Sequence, residues 1–306
     1  MAKSGIKHSL EYWAARAALG VLGLLPRALA RAVGVWVVRL AYALRPQLHR
    51  VALFNLGIAF PQMPLAERER IVKRLVRSIG WMAGEFSQFH TYTRANIEQV
   101  VVLEGFENFD AARRRGKGVL FLTGHMSAWE LAPFAQALYG HPLHFLVRPI
   151  DNQRVDQLIN ARRCLSGNQP IDKNQSARAI LRILSQGGTV GILMDHNAQI
   201  EEGVFADFFG VPACTTSGIA RIALRTDAAV VPGFLHWDES QRKYRLVLHP
   251  AVQLTRTNDE ERDVVTNTAQ FNRIIEDYVR RYPDQWLWVH KRWKTRPPGE
   301  PPLYPA

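Results

Sequence analysis

The first residues that suggest chemistry are Gly124-His125-Met126-Ser127-Ala128-Trp129-Glu130, which set an imidazole five positions before a carboxylate. On a regular helix, positions five apart differ by ~140° in azimuth and do not face each other. The pairing works if His125 lies on a strand-to-helix turn and Glu130 in the first helical turn. Glu130 then accepts the imidazole Nδ1–H, fixes the tautomer, and leaves Nε2 free to take a proton. A purely structural reading competes: Ser127-x-x-Glu130 is also a capping box, with Ser127 at the N-cap. Spacing alone leaves both open. Arg148 closes an apolar run at 143–148, where its fork of N–H donors suits a phosphate; the bland alternative is a surface arginine. Asp195 closes another run at 189–194. It is expected to hold a substrate hydroxyl or to orient Arg148, or else to be a strand-end turn residue.

These residues need elements to position them. Gly118 to Thr123 is a short apolar run bounded by turn residues, as expected of a buried strand. Similar runs fall at 143–148, 189–194, 228–235 and 244–249, after a β-like segment at 100–103 and a short helical pattern at 110–115. Helical patterns lie between the later runs, at 128–139, 153–165, 175–186 and 215–226. Alternation of strand and helix predicts an α/β fold, a mostly parallel central sheet flanked by helices. Long helices are expected over 65–92, with a stripe of Ile71, Leu75, Val76, Ile79 and Met82, and over about 259–281. In open sheets of this kind ligands bind beyond the carboxyl ends of the strands, where His125 falls. Pro232, inside the Val230-Val231-Pro232 strand, is read as structural. Residues 51–306 read as one domain.

The first fifty residues differ from the rest. They hold eight basic groups and one acid, so most of the chain's net charge of +12 lies in a stretch otherwise rich in Ala, Leu, Val, Trp and Tyr. The longest charge-free apolar run there, residues 17–26, is about half of the ~20 residues needed to span a bilayer. Two amphipathic helices are expected, roughly 9–25 and 28–44, broken near Pro26 and lying on an anionic membrane surface. An ordinary buried helical pair and a short tilted span with Arg16 and Arg27 snorkelling are the alternatives. A secretory signal is disfavoured by Glu11, Arg16 and Arg27.

Several text blocks together resemble the late acyltransferases of lipid A biosynthesis, the lauroyl/myristoyl transferase family, within the broader glycerolipid acyltransferases. They are the His125-x4-Glu130 motif, Asn55-Leu-Gly-Ile-Ala-Phe-Pro61, Arg148-Pro-Ile-Asp-Asn152, Asp195-His196, Val204 to Gly210, Ala213 to Ser217 and Gln285 to Pro297. The resemblance runs over about the whole chain. It implies an acyl-carrier-protein or acyl-CoA thioester as donor and a lipid hydroxyl as acceptor, a lipid A precursor or another glycolipid or lysophospholipid. It also implies Arg148, Asn152 and Asp195 as substrate-binding residues, and a protein of the inner membrane facing the cytoplasm. No bound cofactor and no metal are expected. A thioester is already activated, so a neutral His125 suffices as general base and no enzyme nucleophile is required. Acyl length is not legible.

Composition narrows the rest. With 306 residues, 47% hydrophobic and 22% charged, the chain is neither disordered nor an ordinary multi-span membrane protein. Cys164 and Cys214 give no zinc spacing and no disulfide framework. The stretch Trp286 to Arg296 interleaves three tryptophans with basic residues, which suits a membrane interface, an acidic carrier protein or packing into the core. Nucleic acid is not expected as a partner, because the charge concentrates in apolar segments.

Overall fold

The computed structural model describes residues 2–172 and 176–304. The first residue of the expected helix at 175–186 and the last two of the Pro-rich tail lie outside them. The chain opens with helices α1 (Ala2–Leu24), α2 (Arg27–Ala43), α3 (Pro46–Ala59) and α4 (Leu65–Ser87). Pro26 separates the first two, close to the expected break, and Pro46 and Pro64 start the next two. Proline suits a helix start because its missing N–H would have no intrahelical partner there.

One face of the α1–α2 pair is tied to the body. Ala30, Gly34 and Val35 of α2 are buried against the Gly80 and Gly84 side of α4. A Cβ at Gly34 would lie 2.2 Å from the Gly80 carbonyl oxygen, and one at Gly84 would lie 2.7 Å from Arg31 Cα. Small residues on both helices let the backbones approach this closely. The crossing is locked by Glu85, fully buried, which takes the Nε–H of Arg27 at 3.1 Å and is also bonded by Arg31 and the Tyr92 hydroxyl. The Arg31 guanidinium is 4.6 Å from the ring centres of both Trp81 and Trp237. The outer faces are different: Ile6, Leu10, Trp13, Val21 and Leu24 form an exposed apolar stripe on α1, and Leu29, Val33, Trp36, Val37, Leu40 and Leu44 extend it along and just past α2. No helix among the described residues is long and apolar enough to cross a membrane.

The body is an α/β sheet in the order β1-β9-β8-β2-β5-β3-β4. Its strands are β1 (Val101–Glu104), β2 (Val119–Thr123), β3 (His144–Val147), β4 (Gln169–Asp172), β5 (Thr189–Leu193), β8 (Ala229–Asp238) and β9 (Lys243–Leu248). Only β8–β9 pairs antiparallel; the other neighbours are parallel. The helices are α5 (Phe106–Arg114), α6 (Leu131–Leu138), α7 (Gln153–Arg163), α8 (Ser176–Ser185), α9 (Gly218–Thr226) and α10 (Glu260–Arg281). Strand and helix positions thus follow the sequence expectation closely, except that α5 starts at Phe106, four residues before the helix expected at 110–115.

Four elements were not expected: α3, the edge strand β4, and the two strands of a hairpin, β6 (Gly203–Phe208) and β7 (Val211–Thr216). The hairpin turns through Phe209 and Gly210, both at positive φ. A two-residue hairpin turn needs such a conformation, and Phe-Gly advertises it less than Asn-Gly. The long helix expected to reach residue 92 ends at Ser87 and gives way to a short 3₁₀ turn, Phe89–Thr91.

Replacing Gly34 with Leu should separate α2 from α4 and expose Glu85 to water. Overpacking of this kind costs ~1–3 kcal/mol, and the unpaired carboxylate adds to it. The check is a lower melting temperature with faster proteolysis between α2 and α3; unchanged values would mean that the close crossing is not required.

Candidate active site

The chain leaves β2 and β5 in opposite directions, toward β3 and toward β8, so the crevice between their carboxyl ends is a topological switch point. Ligands gather at such points because the connecting loops part there. β2 and β5 are neighbours in register, Thr123 opposite Leu193, with Met194 N–H donating to the Thr123 carbonyl. His125 and Asp195, each two residues past its strand, therefore meet.

Asp195 is buried and accepts three hydrogen bonds. His125 Nδ1 lies 2.8 Å from Oδ1, the His125 backbone N–H donates to Oδ2 at 2.8 Å, and the Trp286 indole N–H donates to Oδ2 at 2.7 Å. Burial alone would raise the Asp195 pKa. The charge and hydrogen bonds of His125, and the charge of His196, outweigh it and hold the carboxyl well below the usual carboxylate range. An ionised Asp195 keeps the proton on Nδ1 and leaves Nε2 of His125 as the free base. The carboxylate that orients His125 is therefore Asp195, where the sequence pointed to Glu130. Asp195 is in turn committed to His125 and Trp286 and makes no hydrogen bond to Arg148.

The loop holding His125 is unusual. Ser127 has φ 51° and its side chain makes no cap bond, and α6 begins only at Leu131, so the capping-box reading also fails. The turn is instead paired with a distant segment: Ser127 N–H donates to the Gln285 carbonyl at 2.6 Å, and Leu287 N–H to that of His125 at 3.2 Å. A non-glycine residue at positive φ persists only where its surroundings over-determine it. Gly124 beside it lets the carboxylate approach closely: a Cβ there would lie 3.1 Å from Asp195, a tight contact.

Glu130 has another partner. Its oxygens take Nε–H and Nη2–H of Arg163 at 2.8 and 2.5 Å, a two-pronged pair. Both residues line a cleft of about 100 Å³ between the sheet and α6. Thr123 and Trp129 lie at its sheet-edge end, and the Trp129 ring is 5.2 Å from that of His125. Phe121, Phe145, Leu193 and Leu246 make the wall apolar.

A sequence profile of the bacterial lipid A biosynthesis acyltransferases matches residues 3–295. The chain belongs to this family. It is 28% identical to the lipid A biosynthesis palmitoleoyltransferase of Escherichia coli K12, over 96% of this chain and 95% of the relative. The lauroyltransferase of the same organism is 27% identical over 96% and 95%, and its myristoyltransferase 26% over 94% and 88%.

Within this acyltransferase, Arg148 is exposed on the loop after β3 and is hydrogen-bonded to nothing among the described residues. Asn152 is buried and caps α7, accepting from Arg154 and Val155 N–H; its amide donates to the His8 carbonyl at 2.8 Å and to Glu11 at 2.9 Å. It thus clamps α1 onto the loop carrying Arg148. The aromatic and basic stretch near the C-terminus is core: Trp286, Trp288 and Trp293 are buried, and buried Arg292 donates to the carbonyls of His196 and Cys214. Burial pushes the Cys164 thiol up despite nearby Arg163, and no contact marks it as a nucleophile.

Sequence reasoning missed Trp286, Arg163 and two further histidines. The His196 ring stacks on His125 at 3.7 Å and 3°, and His290 stacks on His196 at 4.0 Å. His290 Nε2 accepts the Asn197 N–H at 2.9 Å. His125, Asp195 and His196 could bring ligand atoms within 4.8 Å of one another. The parallel rings, however, aim their lone pairs side by side rather than at one point, and Asp195 already accepts three hydrogen bonds. The arrangement suits proton transfer better than metal binding.

Burial holds His196 down to about 3 and His290 down to about 4. Histidine in an unfolded chain titrates near ~6.5. Between that value and about 4 the unfolded state binds protons that the folded rings refuse. Their contribution to stability is complete above pH ~6.5 and falls on acidification, by up to ~1.4 kcal/mol per pH unit for each ring. The melting temperature should therefore drop between pH 7.5 and 5, and less so in a His290→Phe variant; a flat profile in the wild type would contradict this.

Proposed function

We propose that this protein transfers a fatty acyl chain from a thioester of acyl carrier protein or coenzyme A to a hydroxyl of a lipid A precursor. The observation that carries the reading is the buried Asp195–His125 pair at the sheet switch point, beside an apolar cleft. Nε2 of His125 takes the acceptor hydroxyl proton as the oxygen attacks the thioester carbonyl. A C–O bond forms, the C–S bond breaks, and the imidazolium returns its proton to the departing thiolate. Asp195 stabilises the imidazolium without itself being protonated. The cleft seats the acyl chain, and Arg163, steadied by Glu130, supplies positive charge in its wall for the developing oxyanion. Arg148, exposed and uncommitted, suits a phosphate of the acceptor or of the donor's carrier arm. The relatives' names support the lipid A acceptor over a lysophospholipid.

The enzyme works at a membrane on this reading, the cytoplasmic face of the inner membrane. Support comes from the apolar stripes of α1 and α2, with Trp13 and Trp36 more than half exposed, flanked by exposed Arg16, Arg39, Arg45 and Arg50. Apolar burial plus attraction to anionic headgroups suits two helices lying in the interface.

The test is acyl transfer by purified protein from a panel of acyl thioesters to lipid A precursors and lysophospholipids. His125→Ala and Asp195→Asn should each lose about 10²–10⁴-fold in kcat per folded molecule, the folded fraction being read from each variant's melting curve. Near-normal transfer by a folded His125→Ala protein would end the proposal. In a separate measurement, the protein should sediment with vesicles containing anionic lipid and should be released by Trp13→Glu with Trp36→Glu. Equal sedimentation of that variant would remove the stripes from the account.

A further inference from the structure

Gly191 interrupts the apolar run of β5, Thr189-Val-Gly-Ile-Leu193. A glycine inside a strand gives up packing and costs backbone entropy, and it often marks a place where something approaches closely. Here neither the backbone nor the packing demands it. Its φ is not in the left-handed region, and the nearest atoms to a Cβ would be Leu143 Cδ1 at 3.5 Å, the His144 carbonyl at 3.9 Å and Leu143 Cδ2 at 4.0 Å, ordinary contacts. Gly233, the other strand glycine lining the cleft, differs: a Cβ there would lie 3.0 Å from Leu248 and 3.3 Å from Phe121. Gly233 is fixed by its neighbours. Gly191 is not.

The missing side chain opens the cleft. In register, Gly191 lies opposite Phe121 of β2 on one side and Phe145 of β3 on the other, and all three line the cleft. A glycine between two phenylalanines leaves a slot one side chain wide across the sheet. Thr123 and Leu193, level with each other, mark the end near His125, and Gly191 lies two residues further in. That is ~7 Å along the strand, the depth at which the middle of a fatty chain would run. Buried Leu143 stands behind it.

We propose that Gly191 sets the length of acyl chain this enzyme accepts, its absent side chain leaving the slot between Phe121 and Phe145 for the distal methylenes. The proposal rests on the reading of the cleft as the acyl seat. Filling the slot shortens the usable cleft without disturbing the Asp195–His125 pair, which lies beyond the end of β5.

The experiment offers the full chain a mixture of saturated acyl-carrier-protein thioesters of increasing length and one glycolipid acceptor. Products are read by mass spectrometry for wild type, Gly191→Ala and Gly191→Val, and each protein's melting temperature is measured. Each methylene denied its seat costs roughly fourfold. The longest chains used by the wild type should therefore fall more than about tenfold in Gly191→Val and less in Gly191→Ala, with shorter chains held within about twofold. An unchanged length profile in both folded variants, or an equal loss at every length, overturns the proposal. A wild type that transfers no chain of any length overturns the acyltransferase reading and this proposal with it. If Gly191→Val melts early, Gly191→Ala alone decides, because its single added carbon makes only ordinary contacts.

Discussion

A buried carboxylate must find donors or stay protonated, and Asp195 is satisfied only where three separate parts of the chain converge. β5 brings the carboxylate, the turn after β2 brings an imidazole and a backbone N–H, and the C-terminal stretch brings an indole. Removing one partner from such a buried charge costs ~3–5 kcal/mol, so each part holds the others in place. Around this contact Ser127 takes a positive φ, Gly124 leaves the carboxylate room and Trp286 is buried. The imidazole that emerges has one nitrogen fixed and one free, which is what a general base needs.

Behind that imidazole the molecule is closely packed, and in front of it the molecule is open. His196 and His290 are held neutral by burial and form a flat wall against which His125 rests. On the open side the cleft runs under α6, lined by aromatic and aliphatic side chains with one two-pronged ion pair, Glu130–Arg163, in its wall. A paired arginine keeps its place in apolar surroundings while still offering positive charge. Asn152 joins this region to α1, tying the helix with the exposed apolar stripe to the loop bearing Arg148. That linkage sets the exposed apolar stripe close to an exposed guanidinium.

Much of the fold was legible in the sequence, because strand and helix reveal themselves through local periodicity. The runs at 118–123 and 189–194, the helices around them and the α1–α2 break at Pro26 appear close to where apolar spacing and proline put them. The missed pieces had weak local signals: β4 is a short edge strand of Gln169-Pro-Ile-Asp172, and the β6–β7 turn uses Phe-Gly. The C-terminal tryptophans carried an ambiguous signal, since the same residues serve an interface or a core and only burial distinguishes them.

The site divides the same way. The sequence by itself determined that His125 follows a strand at the sheet edge and that Asp195 ends another, and its text blocks carried the family. Which carboxylate serves His125 was beyond it. Glu130 is near in sequence and Asp195 is 70 residues away, yet the β2–β5 register brings Asp195 to Nδ1 while Arg163 draws Glu130 aside. Strand order, and therefore which loop ends meet, is set by how helices cover the two faces of the sheet. That is a property of the packed whole, and no local spacing encodes it.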